Sequence, residues 1–359
     1  MTRTWLVTGG AGFIGSALVR RLLGDPTHDV RVVNVDKLTY AGHLASLGPV
    51  ADDPRHHFHR VDICDAPALA ELFARYRPDG VFHLAAESHV DRSIDAPAAF
   101  IQTNLVGTFT VLQEVRRYFD ALGDALGDTF DAAGAAARRD AFRVVHVSTD
   151  EVFGALTLDT DARFDEASPY RPSSPYSASK AGADHLARAW HHTFGLPVIV
   201  TSSTNNYGPY HLPDKLIPLT LQRALAAQPI PVYGDGLHVR DWLHVDDHAR
   251  ALTRVMTHGR PGETYAIGAG QEHANLTLVH QICAILDDLR PDPAGPYARL
   301  VTHVADRPGH DRRYALDPSK LQRDLGWAPE VDFAAGLEAT VRWFLANADW
   351  VRTVTKDRP

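Results

Sequence analysis

Ser148-Thr149-Asp150-Glu151 places two adjacent carboxylates directly after an apolar, β-branched run, Arg143-Val144-Val145-His146-Val147. The run predicts a parallel strand, and open α/β sheets bind ligands at the carboxyl ends of such strands. Neighbouring carboxylates repel, so one can stay protonated while the other ionises, which gives an acid and a base in one place. The same residues also fit a solvated turn, or a helix start favoured by negative charge. Further on, Tyr176 and Lys180 stand four residues apart in Tyr176-Ser177-Ala178-Ser179-Lys180. On a helix this puts them on one face, where the ammonium favours the phenolate and lowers the tyrosine pKa. A base so made can take a proton from a hydroxyl. Such pairs also arise by chance in many helices, so the surrounding elements decide their weight.

Thr4 to Thr8 predicts a first buried strand, followed by Gly9-Gly10-Ala11-Gly12-Phe13-Ile14-Gly15 and a helical pattern to about Leu23. Val30 to Val35 predicts a second strand, ending in Asp36. Glycines at 9, 12 and 15 give a tight turn and let the backbone approach a pyrophosphate, while the helix N-terminus supplies amide donors. A plain glycine-rich turn shares the triplet. The flanking strand and helix, and the acid ending the next strand, favour dinucleotide binding by Gly9, Gly12, Phe13, Ile14 and Gly15. Asp36 would accept bonds from ribose hydroxyls and disfavour a 2′-phosphate, so NAD is expected over NADP.

The alternation continues. His57 to Val61 predicts a short strand ending at Asp62-Ile63, an expected adenine contact. Pro67 to Tyr76 reads as helix, Gly80 to Ala85 as strand, and Ala98 to Phe119 as a long helix with Ile101, Leu105, Phe109, Leu112 and Phe119 at helical spacing. The Ala-, Gly- and Asp-rich stretch 123–140 reads as a surface insertion with weak helical character. Tyr176 opens a helix to about Phe194, Pro197 to Ser203 is a sixth strand, and Lys215-Leu216 opens a helix whose N-terminus suits a diphosphate. The expected fold is α/β: a Rossmann-type doubly wound parallel sheet with a smaller, mostly C-terminal α/β substrate-binding domain. Residues 1–203 would form the nucleotide-binding domain and 204–359 mainly the second domain, with some segments returning to the first.

At 359 residues the chain can bury a large core without metal or disulfide staples. Its formal net charge of -8 argues against a non-specific nucleic-acid binder. Cys64 and Cys283 lie far apart without metal-ligand spacing, so free thiols in a reducing cytoplasm are expected. Gly9 and Gly10 interrupt the N-terminal apolar run, which reads as strand and turn and not as a signal peptide; no stretch has the length of a membrane span. The 20 histidines cluster at His56, His57 and His59 and at His191 and His192, without an evident third ligand, so no metal is expected. Ala334 to Asn347, with Trp343 and Phe344, predicts an amphipathic packing helix.

The glycine triplet, Asn104 in Asn-x-x-Gly-Thr and Tyr-x-x-x-Lys together resemble the extended short-chain dehydrogenase/reductases. Within that group, Ser148 to Glu151 and matching segments from Thr8 to Tyr314 resemble the dTDP-glucose 4,6-dehydratases. The related nucleotide-sugar epimerases lack the acidic pair. The resemblance implies NAD held tightly and regenerated each turnover, and dTDP-glucose as substrate in deoxysugar (rhamnose-type) biosynthesis. C4 would be oxidised, water eliminated across C5 and C6, and the hydride returned to C6. Tyr176, helped by Lys180, would be the base for oxidation, Thr149 would align the C4 oxygen, Glu151 would remove the C5 proton and Asp150 would protonate the leaving hydroxyl. Further cofactor contacts are implied at Lys37, Leu38, Thr39, Asp62, Ile63, Leu84, Ala85, Ala86, Ser88, Thr103 and Asn206. Substrate contacts are implied at Ser88, Asn205, Lys215, Leu216, Pro231, Tyr233, Arg240, Asn275, Asp306, Arg307 and His310. A homodimer through a four-helix bundle is implied too, its helices being those at 98–119 and 176–194. Phe153 departs from the usual tyrosine, and Thr201 to Thr204 also differ. A sugar-nucleotide 4-epimerase or decarboxylase, or a non-catalytic NAD-binding regulator, are the alternatives.

Overall fold

The structure, a computed structural model, describes residues 2–25, 29–123 and 132–356. The first half contains β1 (Arg3–Thr8), α1 (Phe13–Gly24), β2 (Val30–Val35), β3 (His56–His59), α2 (Ala66–Tyr76), β4 (Gly80–His83), α3 (Val90–Asp95) and α4 (Pro97–Phe100). A π-helical segment, Ile101–Gly107, leads into α5 (Thr108–Gly123); α6 (Ala132–Ala141), β5 (Arg143–Thr149), α7 (Pro175–Phe194), β6 (Val198–Ser203) and β7 (Asn205–Tyr207) follow. Then come α8 (Leu216–Leu225), β8 (Ile230–Tyr233), β9 (Val239–His244), α9 (Val245–His258), β10 (Thr264–Ile267), β11 (Glu272–Ala274) and α10 (Asn275–Leu289). The chain closes with β12 (Val301–Val304), α11 (Ser319–Leu325), α12 (Phe333–Ala346) and α13 (Ala348–Lys356).

Among the described residues, seven strands form one parallel sheet in the order β10-β6-β5-β4-β1-β2-β3. This is the Rossmann-type doubly wound sheet, and the order reverses between β1 and β4, where a ligand crevice opens beyond the strand ends. Strand periodicity sends alternate side chains to opposite faces. Trp5, Val7, Val145 and Val147 join the core under α1 and α9, while Leu6, Val33 and Val144 join the core under α2 and α5. Covered on both faces, these strands read as near-continuous apolar runs instead of alternating ones. A smaller lobe contains the sheet β11-β9-β7, the pair β12-β8 and a core including Tyr207, Trp242, Leu278, Ile282 and Phe344. Two later segments return to the large sheet: β10 pairs with β6, and α9 packs on α1.

The helix expected from 98 to 119 is longer and not uniform. The π-helical segment widens the coil and shifts the phase of the face that follows. Leu112 and Phe119 are buried as the spacing predicts, but Ile101 and Phe109 are 46% and 43% exposed. Strand β3 ends at His59, short of Val61, because its partner β2 ends there, with Val35 opposite His59. Of the insertion at 123–140, residues 124–131 lie outside the described residues, and Ala132–Ala141 forms α6.

Candidate active site

The loop between β1 and α1 is shaped by close approach. Gly9 has φ +74°, and a Cβ there would lie 2.6 Å from the Ala85 nitrogen. A Cβ on Gly15 would lie 2.1 Å from the Gly9 carbonyl oxygen, so no larger residue fits. Gly12 caps α1 without a side-chain hydrogen bond, which leaves first-turn amides available to an anion. Asp36 lies at the end of β2, buried; its carboxylate accepts from the Ala11 and Leu38 amides at 3.0 and 2.8 Å, and burial raises its pKa. A carboxylate has about four acceptor sites, so capacity for ribose hydroxyls remains. Lys37 Nζ reaches Asp62 at 3.4 Å and Thr103 Oγ1 at 3.3 Å. This cradle fits a dinucleotide.

Strand β5 delivers Thr149 to the sheet's carboxyl edge, and a 3-10 turn, Asp150–Phe153, follows. The Glu151 amide donates to Thr149 Oγ1 at 3.3 Å, and the same hydroxyl donates to Asp150 Oδ1 at 3.3 Å. Helix α7 starts with a Ser174/Ser177 capping box and Pro175 in its first turn, which fixes Tyr176 beside that turn. One turn later Lys180 Nζ donates to the Val147 carbonyl at 2.8 Å. A cleft of about 340 Å³ is lined by Gly9, Gly12, Phe13, Ile14, Gly15, Asp36, Lys37, Thr39, Ile63, Leu84, Ala85, Ala86, Ser88, Thr103, Thr149, Asp150, Glu151, Tyr176, Lys180, Asn205, Asn206, Lys215 and Leu216. The expected cofactor loop and the expected acid–base residues therefore share one space.

The electrostatics of the acidic pair are asymmetric. Burial raises Asp150 well above the usual carboxylate range, and the charge of Glu151 raises it further. Asp150 Oδ2 is buried and has no hydrogen-bond partner among the described residues, which favours the neutral form. Burial raises Glu151 as well, but Arg307, Arg240 and Lys215 favour its ionised form. The environment thus separates a protonated Asp150 from an ionisable Glu151. The expected lowering of the Tyr176 pKa by Lys180 is not what the protein alone produces. Burial and then the charge of Glu151 push Tyr176 up, with a partial offset from its hydrogen bond to Thr149. Burial lowers Lys180 itself, against the charge of Asp184.

Other expected residues do not line this cleft: Leu38, Asp62, Pro231, Tyr233, Arg240, Asn275, Asp306, Arg307 and His310. Two of them meet at Asp91, three residues after the cleft residue Ser88: its carboxylate accepts from Arg307 at 2.8 Å and from the Tyr233 hydroxyl at 3.4 Å. Arg240 is buried; its Nη groups donate to the Val239 and Asp311 carbonyls at 2.8 and 2.9 Å, and its guanidinium lies 4.3 Å from the Tyr314 ring centroid. Lys215 Nζ lies 3.4 Å from the Ser88 carbonyl and ties the smaller lobe to the edge of the large sheet.

A model of the GDP-mannose 4,6 dehydratase family matches residues 6–340. A dTDP-glucose 4,6-dehydratase of Neisseria meningitidis serogroup B is 56% identical over 355 residues, which covers 98% of this chain and 96% of that protein. The chain belongs to the dTDP-glucose 4,6-dehydratase family. A solved member, the dTDP-glucose 4,6-dehydratase DesIV from Streptomyces venezuelae with NAD bound, matches with TM-score 0.83 and 46% identity over 98% of this chain and 99% of that one. A UDP-glucose 4-epimerase from Thermotoga maritima matches with TM-score 0.80 but 28% identity, over 96% of this chain and 99% of that one. Dehydratase and epimerase thus share the fold, and the site must separate them.

Relative to the usual dehydratase tyrosine, Phe153 loses a hydroxyl but sits in an aromatic pocket, stacked 5.2 Å from Phe164 and edge-on to Tyr170 at 5.2 Å. Sequence reasoning missed other cleft residues, among them Glu87, Thr204, His211 and Trp242. Glu87 could have been found, since it directly follows Ala86 at a strand end. His211 carried no local signal: its ring stacks on Phe13, 198 positions earlier in the chain, at 4.4 Å. The histidine runs singled out in the sequence hold ordinary partners. His59 Nε2 meets the Tyr76 hydroxyl at 2.9 Å and His191 Nδ1 the Leu196 carbonyl at 2.9 Å.

Proposed function

We propose that this chain dehydrates dTDP-glucose to dTDP-4-dehydro-6-deoxy-glucose on tightly held NAD, as a hydro-lyase of deoxysugar biosynthesis. The observation that carries the reading is the Asp150–Glu151 pair in the same cleft as Tyr176 and the glycine loop. NAD, when bound in that cradle, supplies a hydride acceptor at C4 that later gives the hydride to C6. Tyr176 takes the C4 hydroxyl proton, and Thr149 holds that oxygen in line. The positive charge of an oxidised nicotinamide favours the Tyr176 phenolate, which offsets the effect of burial. Lys180 fixes the Tyr176 end of α7 against β5 through the Val147 carbonyl. Once C4 is a ketone the C5 proton is acidic, and Glu151 removes it. Asp150, kept protonated by burial and by Glu151, gives its proton to the C6 hydroxyl as water leaves, and when the hydride reaches C6 the proton held by Glu151 returns to C5. An epimerase needs the first base but not the acid–base pair. A non-catalytic regulator needs neither.

In this reading residues 1–203 mainly hold the cofactor, and 204–359 mainly hold the nucleotide end of the substrate. Tyr233, Asn275, Asp306, Arg307 and His310 form that second region, and Arg240 is the arginine that would meet the diphosphate, whose oxygens suit its forked donors. The chain pairs with a second copy through α5 and α7. Support comes from Ile101, Val106, Phe109 and Phe194, all more than a third exposed, with Trp190 edge-on to Phe109 at 5.8 Å. Both cysteines are free, which suits a reducing cytoplasm, and among the described residues no helix is long and apolar enough to cross a membrane.

Purified protein incubated with dTDP-glucose tests the reading by mass. Loss of one water, with no net reduced cofactor, is expected. An unchanged mass with an inverted C4 centre makes it an epimerase, and no turnover leaves the regulator.

A further inference from the structure

Outside the acid–base pair, the smaller lobe brings together three metal-ligating side chains that sequence spacing did not disclose. His238 lies just before β9, and Asp306 and His310 lie in the loop after β12. The Asp306 carboxylate faces both rings: Oδ2 is 3.3 Å from His238 Nε2, and Oδ1 is 2.6 Å from His310 Nδ1. The imidazoles stack with centroids 3.7 Å apart and planes 13° apart. The three ligand atoms all lie within 4.8 Å of one another.

The frame around them is fixed. The His238 carbonyl accepts from the Asn275 amide at 2.9 Å, and the Gly234 amide donates to the Val304 carbonyl at 2.9 Å, where β8 pairs with β12. A Cβ on Gly234 would lie 3.2 Å from Asp306 Oδ2, so the turn packs directly on the carboxylate. His238 is buried, whereas Asp306 is 40% exposed, which gives an ion a route from solvent. Nearby cations do not leave the site strongly positive. Arg312 is paired with Asp235 at 2.6 Å and Arg307 with Asp91 at 2.8 Å, while Arg240, whose charge reaches both rings, has Glu151 as a counter-charge.

We propose that His238, Asp306 and His310 form a binding site for a divalent first-row transition metal, with Zn²⁺ or Co²⁺ as the fitting ions. Two imidazoles and one carboxylate form a donor set suited to these metals and poorly suited to Mg²⁺, which takes oxygen ligands. Three protein ligands leave at least one position for water. The cluster gathers the donors in one place before the ion arrives, and ligation turns the two rings out of their stack so that both in-plane lone pairs meet at one point. The site holds without reference to the dehydratase reading, because metal affinity is measured without substrate.

The test uses full-length protein without a histidine tag, titrated with Co²⁺ and followed by its visible d–d absorption. One saturable equivalent is expected in the wild type, undiminished by excess Mg²⁺. His238→Gln should weaken it by roughly 100-fold, since loss of even an outer-shell partner costs about 10–100-fold. The circular dichroism spectrum of that variant should match the wild type, which certifies its fold. With 20 histidines in the chain, weak binding elsewhere is expected, so the difference between the proteins is the decisive quantity. X-ray absorption of the Zn²⁺-loaded wild type gives an answer that does not depend on the variant: imidazole nitrogen and carboxylate oxygen scatterers at about 2.0–2.2 Å. No saturable Co²⁺ binding, equal binding by His238→Gln, or a shell of water oxygens alone would overturn the proposal.

Discussion

Ser148 Oγ donates a hydrogen bond to Asp184 Oδ2 at 2.7 Å, and both residues are buried. The contact joins the end of β5, just before the acidic pair, to the helix that carries Tyr176 and Lys180. Asp184 also accepts from His146 Nε2 at 3.0 Å and from the Tyr170 hydroxyl at 2.8 Å. These donors and Lys180 outweigh burial and hold its carboxylate below the usual range. It is therefore ionised, and its charge opposes the desolvation that lowers Lys180.

Asp184→Asn should accordingly lower kcat while changing KM little, because the substrate pocket stays in place and the α7–β5 joint loosens. The ammonium form of Lys180 loses its counter-charge, so the alkaline limb of the pH–rate profile should move to lower pH. Stability should fall by about 1–3 kcal/mol, the cost of leaving buried donors poorly matched. That loss is present above an ordinary carboxylate pKa, about 4, and disappears as pH falls through the lowered folded value. Urea denaturation at two pH values and a pH–rate profile check both parts. An unchanged profile would remove Asp184 from the electrostatics of the site.

Glu151→Gln and Tyr176→Phe should separate the two halves of the reaction. The first should retain C4 oxidation and stall elimination, so reduced nicotinamide absorbance builds up on the enzyme as turnover drops by about 10²–10⁴-fold. The second should suppress that absorbance along with turnover. Stopped-flow absorbance distinguishes them. Dehydration by Glu151→Gln at the wild-type rate would exclude it as the C5 base.

Asp150 links activity to stability. Its raised pKa means that the folded state keeps a proton which the unfolded chain releases. Folding stability therefore declines as pH rises from about 4, the unfolded value, toward the raised folded value, and is flat above it. Asp150→Asn removes this penalty. Its Tm at pH 8 should exceed that of the wild type by about 2–5 °C, with dehydration nearly abolished. Calorimetry across pH measures it, and an equal or lower Tm at pH 8 would count against a neutral Asp150.

The apolar face of α5 gives a separate test. Phe109→Glu places a charge where Phe109 is 43% exposed, so the fold should survive. Sedimentation should show a dimer for the wild type and a monomer for the variant. Two proteins with the same sedimentation behaviour would place the interface elsewhere.

Much of the architecture was readable in the order of residues. Strand, glycine loop, helix and Asp36 are contiguous, and their chemistry is local: close backbone approach at Gly9 and Gly15, and a helix start beside them. The Tyr176–Lys180 pair is likewise local, because helical periodicity alone sets its spacing. Buried parallel strands such as β5 announce themselves by unbroken apolar runs.

The acidic pair marks the limit. Ser148 to Glu151 show in sequence as two acids after a strand, and their resemblance to a family gives them roles. Only the folded chain separates their proton affinities, because desolvation and the field of Arg240, Arg307 and Lys215 come from segments 64 to 156 positions away. The same holds for Asp184 beneath them, for the phase shift that exposes Phe109, and for His238 meeting Asp306 and His310. Local sequence determined which elements form and which groups they carry. Long-range packing decided which of those groups are dry, which are charged and which meet, since burial and Coulomb interaction depend on distance in space and not along the chain.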